Sequence, residues 1–344
     1  MATITDVCKL SGVSKATVSR AINGTGQVKE STRKTVFDAM KQLNFKPNSL
    51  AQALASNSSN SIGLIISDFD GNYFGMLLKQ AAQAAEQAGK QLIVTDGHND
   101  APREIEAINS LVDRRCDVIV LYSRKLSQQD FIDLKQRIST PIVVINRKMP
   151  EHSYPAVCFD QEHAAGLAVR QLLAMNHTRI ACITSAFNSD TKQLRFKAYQ
   201  DALNEHNISL NRDLIAEGNY TIDSGYAACR NILATGTAFS ALFAFNDDMA
   251  IGAMKALTEA GLRIPLDVSV IAIDNEPISA FITPALSTVE LPIAAITDKA
   301  MKLALQLAAG KEVTAGTREF RGELIVRDST AIITSPLESI LAKF

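Results

Sequence analysis

The chain predicts an α/β protein: a three-helix head containing a helix-turn-helix, a hinge helix, and two doubly wound parallel-sheet lobes. Three observations predict it. Ile4–Arg20 reads as helix, tight turn, helix. Beyond residue 61, continuous apolar runs of strand length alternate with amphipathic helices, the pattern of parallel sheets covered on both faces. Charge divides along the same line. Residues 1–60 carry eight basic and three acidic side chains, a net +5, in a chain whose formal net charge is −1. A basic head on an acidic body binds polyanions through the head alone.

In the head, Thr3 caps the first helix and Asp6 faces its amino-terminal dipole. Gly12 supplies the backbone freedom of the turn, and Val13 is the apolar plug between the helices. Ser14 caps the second helix, whose buried side is Val18 with Ala21 and Ile22. Its open side carries Lys15, Ala16, Ser19 and Arg20, small, hydroxylic and cationic groups suited to base edges and phosphates in a major groove. A third helix is expected from Glu30 to Asn44, with Val36, Ala39, Met40 and Leu43 at i, i+3, i+4 and i+7. Phe45 and Pro47 close the unit. Asn48–Ala55 has good helix composition but spans only about two turns, marginal in water without tertiary support. Ser56–Ser61 is a polar linker.

The body opens with expected strands at Ile62–Ser67, Gln91–Thr95, Asp117–Tyr122 and Pro141–Asn146, then an extended Ala156–Asp160. A second set follows at Arg179–Thr184, Ala241–Phe245 and Val268–Asp274. The helices between them are expected at Tyr73–Ala88, Arg103–Arg114, Glu162–Met175, Thr191–His206, Ser224–Ala234 and Asp247–Ala260. A helix at Ile293–Ala309 and a strand at Gly322–Arg327 come last. The expected division is a head over 1–46, hinge helix and linker over 47–61, and a tail over 332–344. Between them, 62–159 plus 292–321 make the N-terminal lobe, and 160–291 plus 322–331 the C-terminal lobe. Ligand groups in such lobes gather at the carboxyl ends of strands.

Composition narrows the function. With 344 residues and 47% hydrophobic content, each lobe can bury its own core. No 18-residue apolar run occurs and the amino terminus has no h-region with a cleavage site, so a cytoplasmic protein is expected. Cys8, Cys116, Cys158, Cys182 and Cys229 are scattered and odd in number, small core hydrophobes rather than a disulfide framework. There is no CxxC or HExxH, and no ligand spacing among the histidines; neither metal nor cofactor is expected. No P-loop, nucleophile elbow, Rossmann glycine set or catalytic triad pattern appears, which argues against an enzyme.

Four motifs, Gly12-Val-Ser-Lys-Ala-Thr-Val-Ser-Arg20, Pro47-Asn48…Leu54-Ala55, Asn246-Asp-Asp-Met-Ala-Ile-Gly-Ala-Met254 and Val270-Ile-Ala-Ile-Asp274, stand in this order. Together they resemble the lactose/galactose-repressor (LacI/GalR) family of bacterial transcription regulators, over essentially the whole chain and nearest its galactose and aryl-β-glucoside repressor branch. The resemblance implies a body of periplasmic-binding-protein type, a homodimer, and double-stranded operator DNA as partner. It implies that Lys15, Ala16 and Arg20 read bases while Thr17 and Ser19 face phosphates. Asn48, Ala51 and Leu54 would contact DNA from the hinge, with Leu54 wedged into the minor groove. In the cleft it implies effector contacts from Tyr73, Phe74, Asn146, Arg147, Arg195, Tyr220, Asn246 and Asp274. Aromatic faces with Asp, Asn and Arg are the partners that sugar rings use.

The sequence departs from the family pattern in four places. Ser49 replaces a basic hinge residue, Lys29 the usual cap of the third helix, Ala198 a Gly, and Asn275 a frequent Asp. The cleft residues also have plainer uses. Asp274 and Asn246 suit helix or turn caps, Tyr73 and Phe74 suit a core, and Arg195 suits an ion pair with an acid such as Asp190. Three ligand readings stay open: a sugar or glycoside inducer, a co-repressor, and a purine-like ligand on Tyr73-Phe74. A sugar-transport binding protein would share the body but needs an export signal and no DNA head. Ser335–Phe344 is too short for a leucine-heptad tetramerisation helix, so a dimer is favoured.

Overall fold

The cap expected from Thr3 forms, and Asp6 completes it as a capping box: Thr3 Oγ1 accepts from the Asp6 amide at 3.4 Å, and Asp6 Oδ2 accepts from the Thr3 amide at 2.9 Å. It starts α1 (Ile4–Ser11), which ends at Gly12 with φ +70°. That left-handed conformation is the one glycine adopts at no steric cost. Ser14 Oγ accepts from the Thr17 amide at 3.2 Å at the start of α2 (Lys15–Asn23). α3 (Glu30–Gln42) begins at Lys29 without a side-chain cap, two residues shorter at its end than the periodicity suggested. Val7, Val18, Ala21, Val36, Ala39 and Met40 form the head's own small core. The computed structural model describes residues 2–23, 26–46, 59–69 and 71–333. The expected hinge helix, with Asn48, Ala51 and Leu54, lies outside the described residues, as does the tail Ser335–Phe344.

The body holds two six-stranded sheets. The first runs β11-β5-β4-β3-β1-β2, all neighbours parallel, from β1 (Ser61–Ile66), β2 (Gln91–Asp96), β3 (Val118–Tyr122), β4 (Ile142–Ile145), β5 (Pro155–Phe159) and β11 (Gly316–Phe320). The second runs β12-β10-β9-β8-β6-β7, from β6 (Ile180–Ser185), β7 (Ile215–Gly218), β8 (Ala241–Ala244), β9 (Ser269–Asp274), β10 (Ser287–Glu290) and β12 (Glu323–Ile325). Among the described residues its one antiparallel pair is β10 with β12. The chain therefore passes between sheets three times: after β5, after β10 and between β11 and β12.

The first sheet is covered by α4 (Gly71–Gln87), α5 (Ala101–Asp113), α6 (Gln128–Arg137) and the returning α11 (Ile293–Ala308). The second carries α7 (Gln161–Ala174), α8 (Asp190–Glu205), α9 (Ile222–Ala234) and α10 (Asp247–Glu259). Sequence patterning missed α6, β7, β10 and β11, and placed β12 over a longer stretch. The physical reason is common to all: α6 buries only Phe131 and Leu134 along its length, and the four strands are short and carry little apolar periodicity. In the Asn246–Met254 motif, Gly252 is a close-approach position. A Cβ there would stand 2.0 Å from the Ile222 carbonyl oxygen, and one on Gly225 2.2 Å from that of Met249. α9 and α10 pack backbone to backbone.

Candidate functional site

On α2 the buried face is Val18 and Ala21, and the outer face carries Lys15, Ala16 and Arg20, all exposed. Thr17 and Ser19 sit half-buried at the flanks, and the Thr17 hydroxyl lies 2.9 Å from Ser14 Oγ. Two cations with a small residue between them are thus presented along one helix face, the arrangement a major groove accepts.

Between the two sheets, strand ends bring a polar chain together. Arg195, on α8 and 3% exposed, donates from Nε to Gln161 Oε1 at 2.8 Å and from Nη1 to the Phe245 carbonyl, with Nη2 3.9 Å from Asp274 Oδ1. Gln161 Nε2 reaches back to Asn146 Oδ1 at 3.4 Å, so the chain runs from the end of β4 to the end of β9. Arg195 does not pair with Asp190, the partner its sequence neighbourhood suggested. Asp190 instead lies 3.3 Å from Nε of Arg147, whose Nη1 donates to the Leu126 carbonyl and whose guanidinium lies 5.5 Å from the Phe131 ring centre. Arg147 is thus a rim residue joining the lobes, beside Lys125, whose Nζ donates to the Asn188 carbonyl at 3.3 Å.

Asn246 serves as a cap while facing the cleft. Its Oδ1 accepts from the Met249 amide and its Nδ2 donates to the Tyr220 carbonyl, both at 3.1 Å. Next to it, Asp247 is fully buried; its carboxylate accepts from the Glu276 amide at 2.8 Å and from the Ser279 and Thr288 hydroxyls at 2.6 Å. Burial outweighs these bonds and pushes Asp247 up to about 6; burial with neighbouring Asp248 and Asp247 pushes Glu276 up to about 7. Burial likewise holds Asp274 well above the carboxylate range, opposed by Arg195 and reinforced by these acids. Asp274 has φ +129°, and Asn275 after it (φ +56°) accepts from Arg327 Nη2 at 2.6 Å. A carboxyl kept protonated can both donate to and accept from a ligand hydroxyl.

The facing wall is aromatic. Tyr73 meets Phe74, Tyr122 and Phe159 edge to face, at centroid distances of 5.2, 6.0 and 6.4 Å. Phe74 is 6% exposed, so it is core as much as platform, whereas Tyr73 is half-buried and burial holds its phenol well above the usual range. From the other lobe, Tyr220 stacks on Phe187 at 6.3 Å with planes 15° apart. Asn72, Tyr73, Met76, Asp274 and Glu276 line a cavity of about 30 Å³ between the walls. Sequence reasoning missed Gln161, Asp247, Glu104 and Arg124 as parts of the cleft. Arg124 had a usable signal, its place two residues past the carboxyl end of β3. Among the described residues no group of His, Cys, Asp or Glu could hold a metal, and all five cysteines are free.

Residues 3–48 match the family described as "Bacterial regulatory proteins, lacI family", and residues 169–330 match "Periplasmic binding protein-like domain". The HTH-type transcriptional regulator AscG of Escherichia coli (strain K12) is 40% identical over 331 residues, covering 96% of this chain and 98% of its own. A crystal structure of a sugar-binding transcriptional regulator (LacI family) from Escherichia coli, complexed with phosphate, is 39% identical with TM-score 0.73, over 80% of this chain and 99% of the other. The lac repressor dimer bound to operator and the anti-inducer ONPF is 28% identical with TM-score 0.86, over 96% of this chain and 99% of the other.

Proposed function

The chain belongs to the lacI family of bacterial regulatory proteins, DNA-binding regulators and not enzymes, and from that premise we propose that it represses sugar-utilisation genes from a pseudo-palindromic operator. A sugar or glycoside bound between the lobes acts as inducer and releases the DNA. The observation that supports this most is the union in one chain of a cationic recognition helix and a two-lobe cleft, matched along 96% of its length by an operator-bound repressor.

In this reading Lys15, Ala16 and Arg20 meet base edges, Thr17 and Ser19 meet phosphates, and the hinge contacts come from Asn48, Ala51 and Leu54. The unit boundaries are those expected above: head 1–46, hinge and linker 47–61, two interleaved lobes, and tail. Tyr73, Phe74, Tyr220, Asn146, Arg195, Asn246 and Asp274 hold the effector, with Arg147 at the rim. Work on DNA places the protein in the cytoplasm; no helix among the described residues is long and apolar enough to cross a membrane.

The protein acts as a homodimer, whose two heads span two half-sites. Phe281, 82% exposed, stands beside a groove of about 250 Å³ lined by Ile251, Met254, Ile264, Ile282 and Pro284. This surface suits a second copy, as a C2 interface uses one patch twice. The decisive experiment selects operators from random duplexes and measures binding by fluorescence anisotropy. A preferred sequence is expected, with affinity falling steeply as salt rises, and Arg20→Ala is expected to lose most of the operator-to-random ratio. An unchanged ratio would sink the base-reading role.

A further inference from the structure

The cleft contains one cation whose hydrogen-bonding capacity is largely unspent. Arg124, half-buried on the loop after β3, lies with its guanidinium carbon 5.7 Å from the Phe74 ring centre, 5.3 Å from that of Tyr122 and 5.7 Å from that of Tyr220. The first two rings belong to the N-terminal lobe and the third to the C-terminal lobe. Of its five N–H donors, Nη2 alone makes a hydrogen bond, to Tyr122 Oη at 3.3 Å. Among the described residues no acid stands within ion-pair distance of it, whereas the neighbouring arginines are engaged: Arg147 by Asp190, Arg195 by Gln161 and the Phe245 carbonyl.

The loop that presents Arg124 is built to hold it there. Glu104, fully buried on α5, accepts from Ser123 Oγ at 2.6 Å and from the backbone amides of Arg124 and Lys125 at 3.2 and 3.3 Å. These bonds occupy Glu104 with the loop's backbone and the Ser123 hydroxyl, not with the guanidinium. The carboxylates of the cleft face another compartment: Asp274 and Glu276 line the small cavity beside Tyr73, which Arg124 does not line. A half-buried guanidinium flanked by ring faces, with most of its donors open, gains most from a bidentate oxyanion.

We propose that Arg124 determines ligand specificity in the cleft, and that the effector is a sugar bearing an anionic group, phosphate or carboxylate, which takes the open donors of its guanidinium. The inference rests on the reading of the cleft as a sugar-effector site and narrows it. Tyr73 and Tyr220, both half-buried, then remain for the apolar face of the ring, while Arg195 and Asp274 meet its hydroxyls.

The test is calorimetry on the full chain with methyl glycosides of glucose and galactose, each as neutral sugar, 6-phosphate and uronic acid, and with inorganic phosphate alone. At least one anionic form is expected to bind at least tenfold more tightly than its neutral parent. The phosphate and uronate arms identify which anion is recognised. Arg124→Gln is expected to erase that ratio, and Arg124→Lys to retain part of it, as a point charge lacks the fork. Neutral sugars binding as tightly as their anionic forms, or a preference that survives Arg124→Gln, would overturn the inference while leaving the sugar-effector reading intact. Inorganic phosphate alone matching the sugar phosphates would overturn it too. No binding by any sugar would overturn both. Should Arg124→Gln fail to fold, Arg124→Lys carries the test, and an anionic preference undiminished in that variant would overturn the inference.

Discussion

The two walls of the cleft are built on opposite principles. The C-terminal wall is a closed hydrogen-bonded network: Arg195, Gln161, Asn246 and Asp247 all have partners before any ligand arrives. The N-terminal wall is a set of rings, Tyr73, Phe74 and Tyr122, around a guanidinium that makes a single hydrogen bond. A satisfied polar network fixes geometry but charges a ligand for every bond it displaces. Ring faces are adaptable, and open donors are strengthened by a new acceptor. One wall orients; the other has affinity still to gain.

Breaking the orienting wall should have the largest effect. Arg195→Ala removes the partner of Asp274, Gln161 and the Phe245 carbonyl together. A loss of about 2–5 kcal/mol is expected, since two buried acceptors lose their donor at once and Asp274 loses its neighbouring cation. Calorimetry should show sugar affinity falling at least 100-fold, and a melt should show reduced stability. Sugar affinity left untouched would remove Arg195 from the site.

The same wall should be pH-sensitive. Asp247, raised from 3.8 to about 6, is favoured in its protonated form when folded. Its contribution is present in full below the unfolded pKa and is lost as pH rises through about 6, worth roughly 3 kcal/mol at most. Glu276, raised to about 7, acts in the same direction. His177, whose pKa burial lowers, acts oppositely as pH falls. The diagnostic is therefore the difference between proteins: Asp247→Asn should flatten the component of Tm that declines between about pH 4 and 6. Parallel Tm profiles for the two proteins would contradict this.

Next comes the foundation of that wall. Gly252→Ala would force α9 and α10 apart and shift the helix whose start carries Asn246 and Asp247. Overpacking of about 1–3 kcal/mol is expected by denaturant titration, against about 1 kcal/mol of gain from helix propensity were the site open. A stabilised variant would mean the helices are not in contact. The smallest effect is expected on the aromatic side. Tyr220→Leu removes one of the three rings beside Arg124, worth about 0.5–1 kcal/mol, so anionic-ligand affinity should change only two- to fivefold. A larger loss would mean that Tyr220 does more in the cleft than flank Arg124.

Much of this was legible in the chain. Thr3 announced the cap of α1, Val18 and Ala21 the buried side of α2, and the strand ends placed Asn146, Asn246 and Asp274 around one cleft. The plainer uses weighed for these residues were partly real. Asn246 is a helix cap and Phe74 is core, yet both line the cleft, because a strand's carboxyl end is also where the next helix starts. α6 was not legible, since its polar sequence buries only two side chains and its capping box, Ser127 with Asp130, precedes no strong apolar run. Nor was Gln161, which lies beside Asp160 at the head of α7 and gains its role only from Arg195, 34 residues on.

By itself, the sequence determined the head, the alternation of strands and helices, and which residues end each strand. Caps, turns and hydrophobic periods depend on neighbours a few positions away, and those neighbours are written in order along the chain. Only the tertiary structure decided the pairings: Arg195 with Asp274, Arg147 with Asp190 across the lobes, and Arg124 with rings and no carboxylate. Two charges pair when the sheets beneath them bring their tips within about 4 Å, and that approach depends on how the lobes stack, a distance no local spacing encodes.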